Sequence, residues 1–282
     1  MTKDYECFYC FADTFRKLIE NGNLTLTEKK EFTIFFAQLA VNKHEYSSVE
    51  FAIELHRKFK QLSGIEDIYL TEKKLSNQKA NELAIKWLPE IQKSENKFDL
   101  VLRLAIAGNI MDYGAPTNRD IEKTIDYVLK SDFAIDHSKN LQNDIKYAKQ
   151  ILYLGDNAGE IVFDKLFIQE INHLNLYFAV RGFPIINDVT EKDATDLELD
   201  TIAKIISNGY DAPSTNLEKC SKEFLEIWNN SDLIISKGQG NLEGLLNIKN
   251  KNIYFLLMVK CDVIARHLGV KKGDFVVYNN LI

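Results

Sequence analysis

Near residue 150 the hydrophobic pattern of this chain changes period. Before that point apolar residues recur at steps of three and four, the repeat of an amphipathic helix. After it, short apolar runs alternate with helical segments. The first run is Ile151-Leu152-Tyr153-Leu154, short enough for a strand buried on both faces. Further strands are expected at 174–180, 203–207, 233–236, 253–259 and 275–278, with helices at 193–200 and 217–229. Alternation on this scale predicts an α/β fold, a mostly parallel sheet with helices on both faces. The chain is therefore read as a helical domain over 1–148 followed by an α/β domain over 149–282.

The helical half has its own signals. Thr27 can cap a helix carrying Phe32, Phe35, Phe36 and Leu39, and Ser47 or Ser48 can cap one carrying Leu55, Phe59 and Leu62. Ser76 is expected to open a third helix through Trp87, with Pro89 kinking or restarting it. Segments 99–107, 118–129 and 138–149 complete the set.

Composition narrows the class. Over 282 residues, 45% hydrophobic and 27% charged content describes a globular chain. A net charge of −6 disfavours a nucleic-acid partner. No apolar run approaches the length of a membrane span. The polar, acidic start Met1-Thr2-Lys3-Asp4 is unlike a signal peptide, and four cysteines are too few for a disulfide framework. These features predict a cytoplasmic protein; they carry no signal of oligomeric state.

Chemistry concentrates where strands end. Gly155-Asp156-Asn157-Ala158-Gly159-Glu160 joins the first strand to a helix. In open α/β sheets ligands bind at the carboxyl ends of strands. Free N–H groups at a helix start favour an anion, and the Asp-Asn pair offers oxygen ligands to a cation. The same residues can instead cap the helix, with Glu160 closing a capping box. Asp188, in Asn187-Asp188-Val189-Thr190, comes one strand-helix-strand unit later and can add a third oxygen, or cap the next helix. Such a set suits Mg²⁺ or Mn²⁺. Lys237-Gly238-Gln239-Gly240-Asn241 follows the 233–236 strand and can cradle a phosphate or simply turn. Lys260 ends the 253–259 strand. Neither G-x-G-x-x-G nor G-x-x-x-x-G-K-[ST] is present.

Taken in order, G-D-N-A-G-E, P-I-I-N-D-V-T, S-K-G-Q-G-N and V-K-C-x-V-I-A-R-x-L-G-V resemble the damage-control phosphatase family, once a domain of unknown function and including acidic-residue-methyltransferase-like members. The likeness extends upstream to the segment from Arg103 to Gly114 and to Cys7-Phe8-Tyr9-Cys10, a pair typical of the stand-alone microbial branch. It implies a three-layer Rossmann-like sheet domain behind a helical N-terminal domain. It implies a divalent cation (Mn²⁺, Mg²⁺, Co²⁺ or Ni²⁺) held by Asp156, Asn157 and Asp188, with Asp156 and Lys237 catalytic and Lys237 on the phosphate. Glu160, Arg181, Asn109, Asp112, Gln239, Asn241 and Lys260 would line the pocket of a small phosphorylated metabolite, a sugar phosphate or a damaged phosphometabolite. Ser214, Leu242 and Met258 depart from the family pattern and leave substrate preference open. The expected reaction is phosphomonoester hydrolysis by metal-activated water.

Two rivals belong to other classes. One is an S-adenosylmethionine-dependent carboxyl methyltransferase, for which the Gly-rich turn at 155–159 is a weak match. The other is a non-enzymatic metal module. The resemblance pairs the N-terminal cysteines with Lys260-Cys261, so Cys7, Cys10 and Cys261 are a candidate Zn²⁺ site, or small buried hydrophobes at a domain interface. The histidines are scattered without ligand spacing.

Overall fold

The computed structural model describes residues 4–42, 46–109 and 121–282. Three helices open the chain: α1 (Tyr5–Asn21), α2 (Leu26–Asn42) and α3 (Ser48–Ser63). They close on a core of their own, where Phe15, Phe32, Phe51, Leu55 and Phe59 meet. Ser47 caps α3 with a reciprocal bond to Glu50, and Gly64 ends it in the left-handed conformation. The cap of α2 is Thr25, two residues before the expected Thr27, again paired with a glutamate three positions on.

Next come α4 (Leu70–Lys93), α5 (Lys97–Gly108), α6 (Ile121–Lys130), a two-residue strand β1 (Ile135–Asp136) and α7 (Ser138–Tyr147). Helix α4 begins well before Ser76, which lies buried mid-helix, and it runs unbroken through Pro89. Pro89 is solvent-exposed, so the carbonyl it leaves unpaired can face water.

The remaining chain alternates: β2 (Ile151–Leu154), α8 (Glu160–Ile171), β3 (Leu176–Val180), α9 (Glu191–Asp196), β4 (Lys204–Ser207), α10 (Lys222–Asn230), β5 (Leu233–Lys237), α11 (Gly238–Leu245), β6 (Ile253–Met258), α12 (Asp262–Leu268) and β7 (Phe275–Asn279). The strands form one seven-stranded sheet in the order β1-β7-β6-β5-β2-β3-β4. All neighbours are parallel except β6 and β7.

Strand periodicity explains the three layers. Ile151 and Tyr153 of β2, Leu233 and Ile235 of β5, and Tyr254, Leu256 and Met258 of β6 enter one core. Their alternates Leu152, Leu154, Ile234, Ile253, Phe255 and Leu257 enter the other. The first core takes its cover from α4 to α8, the second from α10, α11 and α12. The helices before residue 148 thus divide between a separate three-helix cluster and one layer of the sheet. Within the described residues no helix is long and apolar enough to cross a membrane.

After β2 the chain builds outward through β3 and β4, then returns to the other side of β2 with β5 and β6. The carboxyl ends of β2 and β5 therefore flank the point where strand order reverses, the crevice where α/β sheets bind ligands.

Candidate metal and phosphate site

Asp156 and Asn157 leave β2 at this crevice. The loop carrying Asp188 folds back on them: Asn157 and Asp188 form an antiparallel bridge, Val189 N donates to Asp156 O at 2.8 Å, and Ala158 N donates to Asn187 O at 2.9 Å. All three expected metal ligands are thereby brought together, each at least nine-tenths buried. Arg181, at the end of β3, donates through Nε to Asp188 Oδ2 at 2.6 Å and places Nη2 3.5 Å from Asp156 Oδ1. That Nη2 is buried and, among the described residues, has no hydrogen-bond partner.

Asn241 joins the pieces. Its amide donates to Gly155 O and Lys237 O, while its carbonyl accepts from Arg181 Nη1 and Thr215 Oγ1. With those bonds its polar capacity is used, so it braces the site. Gln239 is similarly engaged: its oxygen accepts from Lys260 N, and its amide donates to Glu243 and to Cys261 Sγ. Gln239 thus holds the turn carrying Lys260, whose charge lies close enough to Asp156 to favour the ionised carboxylate. Gly238, at φ +77°, has no room for a side chain: a Cβ would overlap Asp156 Oδ2.

Two expectations meet a different geometry. The turn before α8 does not offer free amides to an anion. Asn157 N reaches Glu160 Oε2 at 3.4 Å, Ala158 N goes to Asn187 O, and Gly159 N donates to Asn77 Oδ1 at 2.6 Å. Lys237, expected on the phosphate, is fully buried, and its Nζ donates at 2.7 Å to each of Ala105 O, Glu160 Oε1 and Asp164 Oδ1. An ammonium has three N–H bonds, and all three are spent inside the protein. Burial pulls its pKa down, but Asp164 and Glu160 more than offset this and hold it charged. Its function in this arrangement is to fix Glu160, whose other oxygen accepts from the amides of Asn109 and Asn157.

Asp164 and Tyr153, bonded to each other at 2.7 Å, also belong to this cluster and were not anticipated from the sequence. The signal was a carboxylate one turn beyond Glu160, inside the apolar run Ile161 to Phe167. Burial pushes Asp164 up to about 6, and the nearby Lys237 restrains the rise.

The charge balance tests whether a cation fits. Asp156, Glu160, Asp164 and Asp188 are four buried carboxylates against two buried cations, Arg181 and Lys237. Burial, then Asp188 and Glu160, push Asp156 well above the usual carboxylate range. Lys260 adds a third positive charge near Asp156, and two carboxylates with an amide oxygen gathered in one buried crevice suit a hard divalent cation. Within the described residues, no group of three or more His, Cys, Asp or Glu side chains is poised to hold an ion. In the Asp156–Asn157–Asp188 set the third candidate ligand is an amide. Cys261 Sγ, one of the three candidate zinc ligands, accepts from Gln239 Nε2 at 3.3 Å. Asn109 lies at the end of α5 beside Asp156, at 3.3 Å, whereas Asp112 falls outside the described residues.

A buried acidic cluster at the switch point of a mostly parallel, three-layer sheet defines an α/β protein with its candidate site at the strand ends. The chain belongs to the damage-control phosphatase ARMT1-like family, whose model matches residues 4–276. It is 34% identical over 292 residues to a damage-control phosphatase of Pyrococcus horikoshii, covering 99% of both chains. It is 37% identical to an uncharacterized protein of Methanocaldococcus jannaschii, covering 96% of this chain and 93% of that protein. A crystal structure of a DUF89 family protein from Pyrococcus horikoshii superposes with a TM-score of 0.89 at 33% identity, covering 99% of each chain.

Proposed function

We propose that this chain is a phosphatase that hydrolyses phosphomonoesters of small metabolites, sugar phosphates or damaged phosphometabolites, with a divalent cation held by Asp156, Asn157 and Asp188. The observation that carries this reading is the convergence of Asp156, Asn157 and Asp188 in one buried crevice at the strand ends. Membership of the damage-control phosphatase family supports it. Such a cation polarises a phosphoryl oxygen and lowers the pKa of bound water.

The chain's own groups supply the rest. Arg181 stands between Asp156 and Asp188 and holds both carboxylates in place through its guanidinium. The N-terminus of α11 carries no side-chain cap and adds its dipole. Lys237 and Glu160 orient the Asn157 amide, leaving its carbonyl oxygen for the cation. The four free cysteines accord with a reducing, cytoplasmic setting.

The test is a metal-by-substrate screen on chelator-stripped protein. Phosphate release should appear only on adding a divalent cation and should vanish in Asp156→Ala and Asp188→Ala. Full activity after chelation would overturn the reading.

A further inference from the structure

We propose that helix α4 is a strut that sets the spacing of the two ligand-bearing loops, with Asn77 and Lys73 as positioning residues; this rests on the metal reading of Asp156, Asn157 and Asp188. Asn77 and Lys73 are four residues apart and so share one face of α4. Each grips a different loop. Asn77 Oδ1 accepts from Gly159 N, in the turn that presents Asp156 and Asn157. Gly159 sits at φ +81°, which turns its N–H away from α8 and toward α4.

Lys73 reaches the other loop through one intermediary. Its Nζ lies 2.6 Å from Asp193 Oδ2 and 3.1 Å from Asp67 Oδ2, and its side chain is 1% exposed. The same Asp193 oxygen accepts from Thr190 N at 2.8 Å and Thr190 Oγ1 at 2.7 Å. Thr190 stands two residues after Asp188 and pairs with Arg181 in a parallel bridge. A buried ammonium between two carboxylates is rigid, because any departure strands an unpaired charge.

The strut is itself anchored. Ala80, Leu83 and Ala84, further along the same helix, enter the core shared with β2 and α8. The apolar part of α4 fixes it to the sheet, and its polar part then holds both loops at set positions. Metal sites depend on such outer partners, whose removal costs roughly 10–100-fold in affinity.

The experiment is Mn²⁺ calorimetry on chelator-stripped protein, with thermal melting as the check of folding. Asn77→Ala should raise the Mn²⁺ Kd by about tenfold or more while the protein stays folded. Asn77→Asp keeps the acceptor and should bind no more weakly than wild type. Lys73→Met should weaken Mn²⁺ as well, and should melt earlier because Asp67 and Asp193 lose their counter-ion. If Lys73→Met does not fold, the two Asn77 variants still decide. An unchanged Kd in Asn77→Ala, beside a wild type that binds Mn²⁺, would overturn the strut alone. A wild type that binds no Mn²⁺ would overturn the metal reading and the strut with it.

Discussion

At the scale of single residues, Lys237 separates what a motif suggests from what burial allows. Its ammonium is enclosed by Ala105 O, Glu160 and Asp164, with no exposed surface. Removing it would leave two carboxylates facing each other in the interior. Lys237→Met should therefore destabilise the fold by about 3–5 kcal/mol, the scale for breaking a buried ion pair, measured by denaturant unfolding. A variant as stable as wild type would overturn this account of the buried cluster. Asp156 and Asp188 were legible in the sequence as candidates, because each follows an apolar run, although either could equally cap a helix. Asn77 and Lys73 were not legible: both read as ordinary polar positions on a helix, and only the packing of α4 against the loops gives them partners.

At the scale of elements, the two helices that start at the crevice behave differently. The amides of the turn before α8 are turned onto Glu160, Asn187 and Asn77, whereas α11 begins at Gly238 without a side-chain cap. The close approach of that glycine to Asp156 is what allows β5 and β2 to end side by side. Gly238→Ala combines a Cβ overlap with a positive φ. It should abolish phosphate release and Mn²⁺ binding together, by displacing Asp156. Mn²⁺ binding at wild-type strength in a folded Gly238→Ala protein would show that Asp156 tolerates the displacement. The strands at 151–154 and 253–258 were legible because both faces are buried and their runs are continuously apolar. The strand at 135–136 was not, since two residues carry no period; it exists because β7 pairs with it.

At the scale of the whole molecule, α1–α3 form a body with its own core that reaches the sheet through polar contacts. Arg57 pairs with Asp211 in the loop after β4, Lys60 donates to Pro184 O, and Arg266 of α12 meets Asp4 and Glu6. Inside that core His56 is buried against the Phe15 ring, with centroids 4.9 Å apart. Burial, aided by Lys60, lowers its pKa to about 3, so it is neutral in the folded state. The unfolded chain takes up the proton near the ordinary value of 6.5, so stability is complete above that pH. It should fall as the pH drops from 6.5 toward 3, by up to about 1.4 kcal/mol per unit. His56→Phe should flatten this part of the curve in urea titrations between pH 7 and pH 4. Parallel curves for the two proteins would show that His56 is not the group responsible.

The sequence by itself determined the change of period near residue 150, the two-sided burial of the strands and the positions of the acidic residues at strand ends. Those depend on local patterning, which a linear chain states directly. Only the tertiary structure decided that α4–α7 share the core of the sheet while α1–α3 keep their own. It also decided that the amides before α8 and the ammonium of Lys237 face inward, and that α4 reaches both the turn after Asp156 and the segment after Asp188. Each of these depends on which distant groups compete for a donor or a buried face. That competition is settled between residues such as Asn77 and Gly159, or Ala105 and Lys237, whose separation along the chain carries no periodic signal.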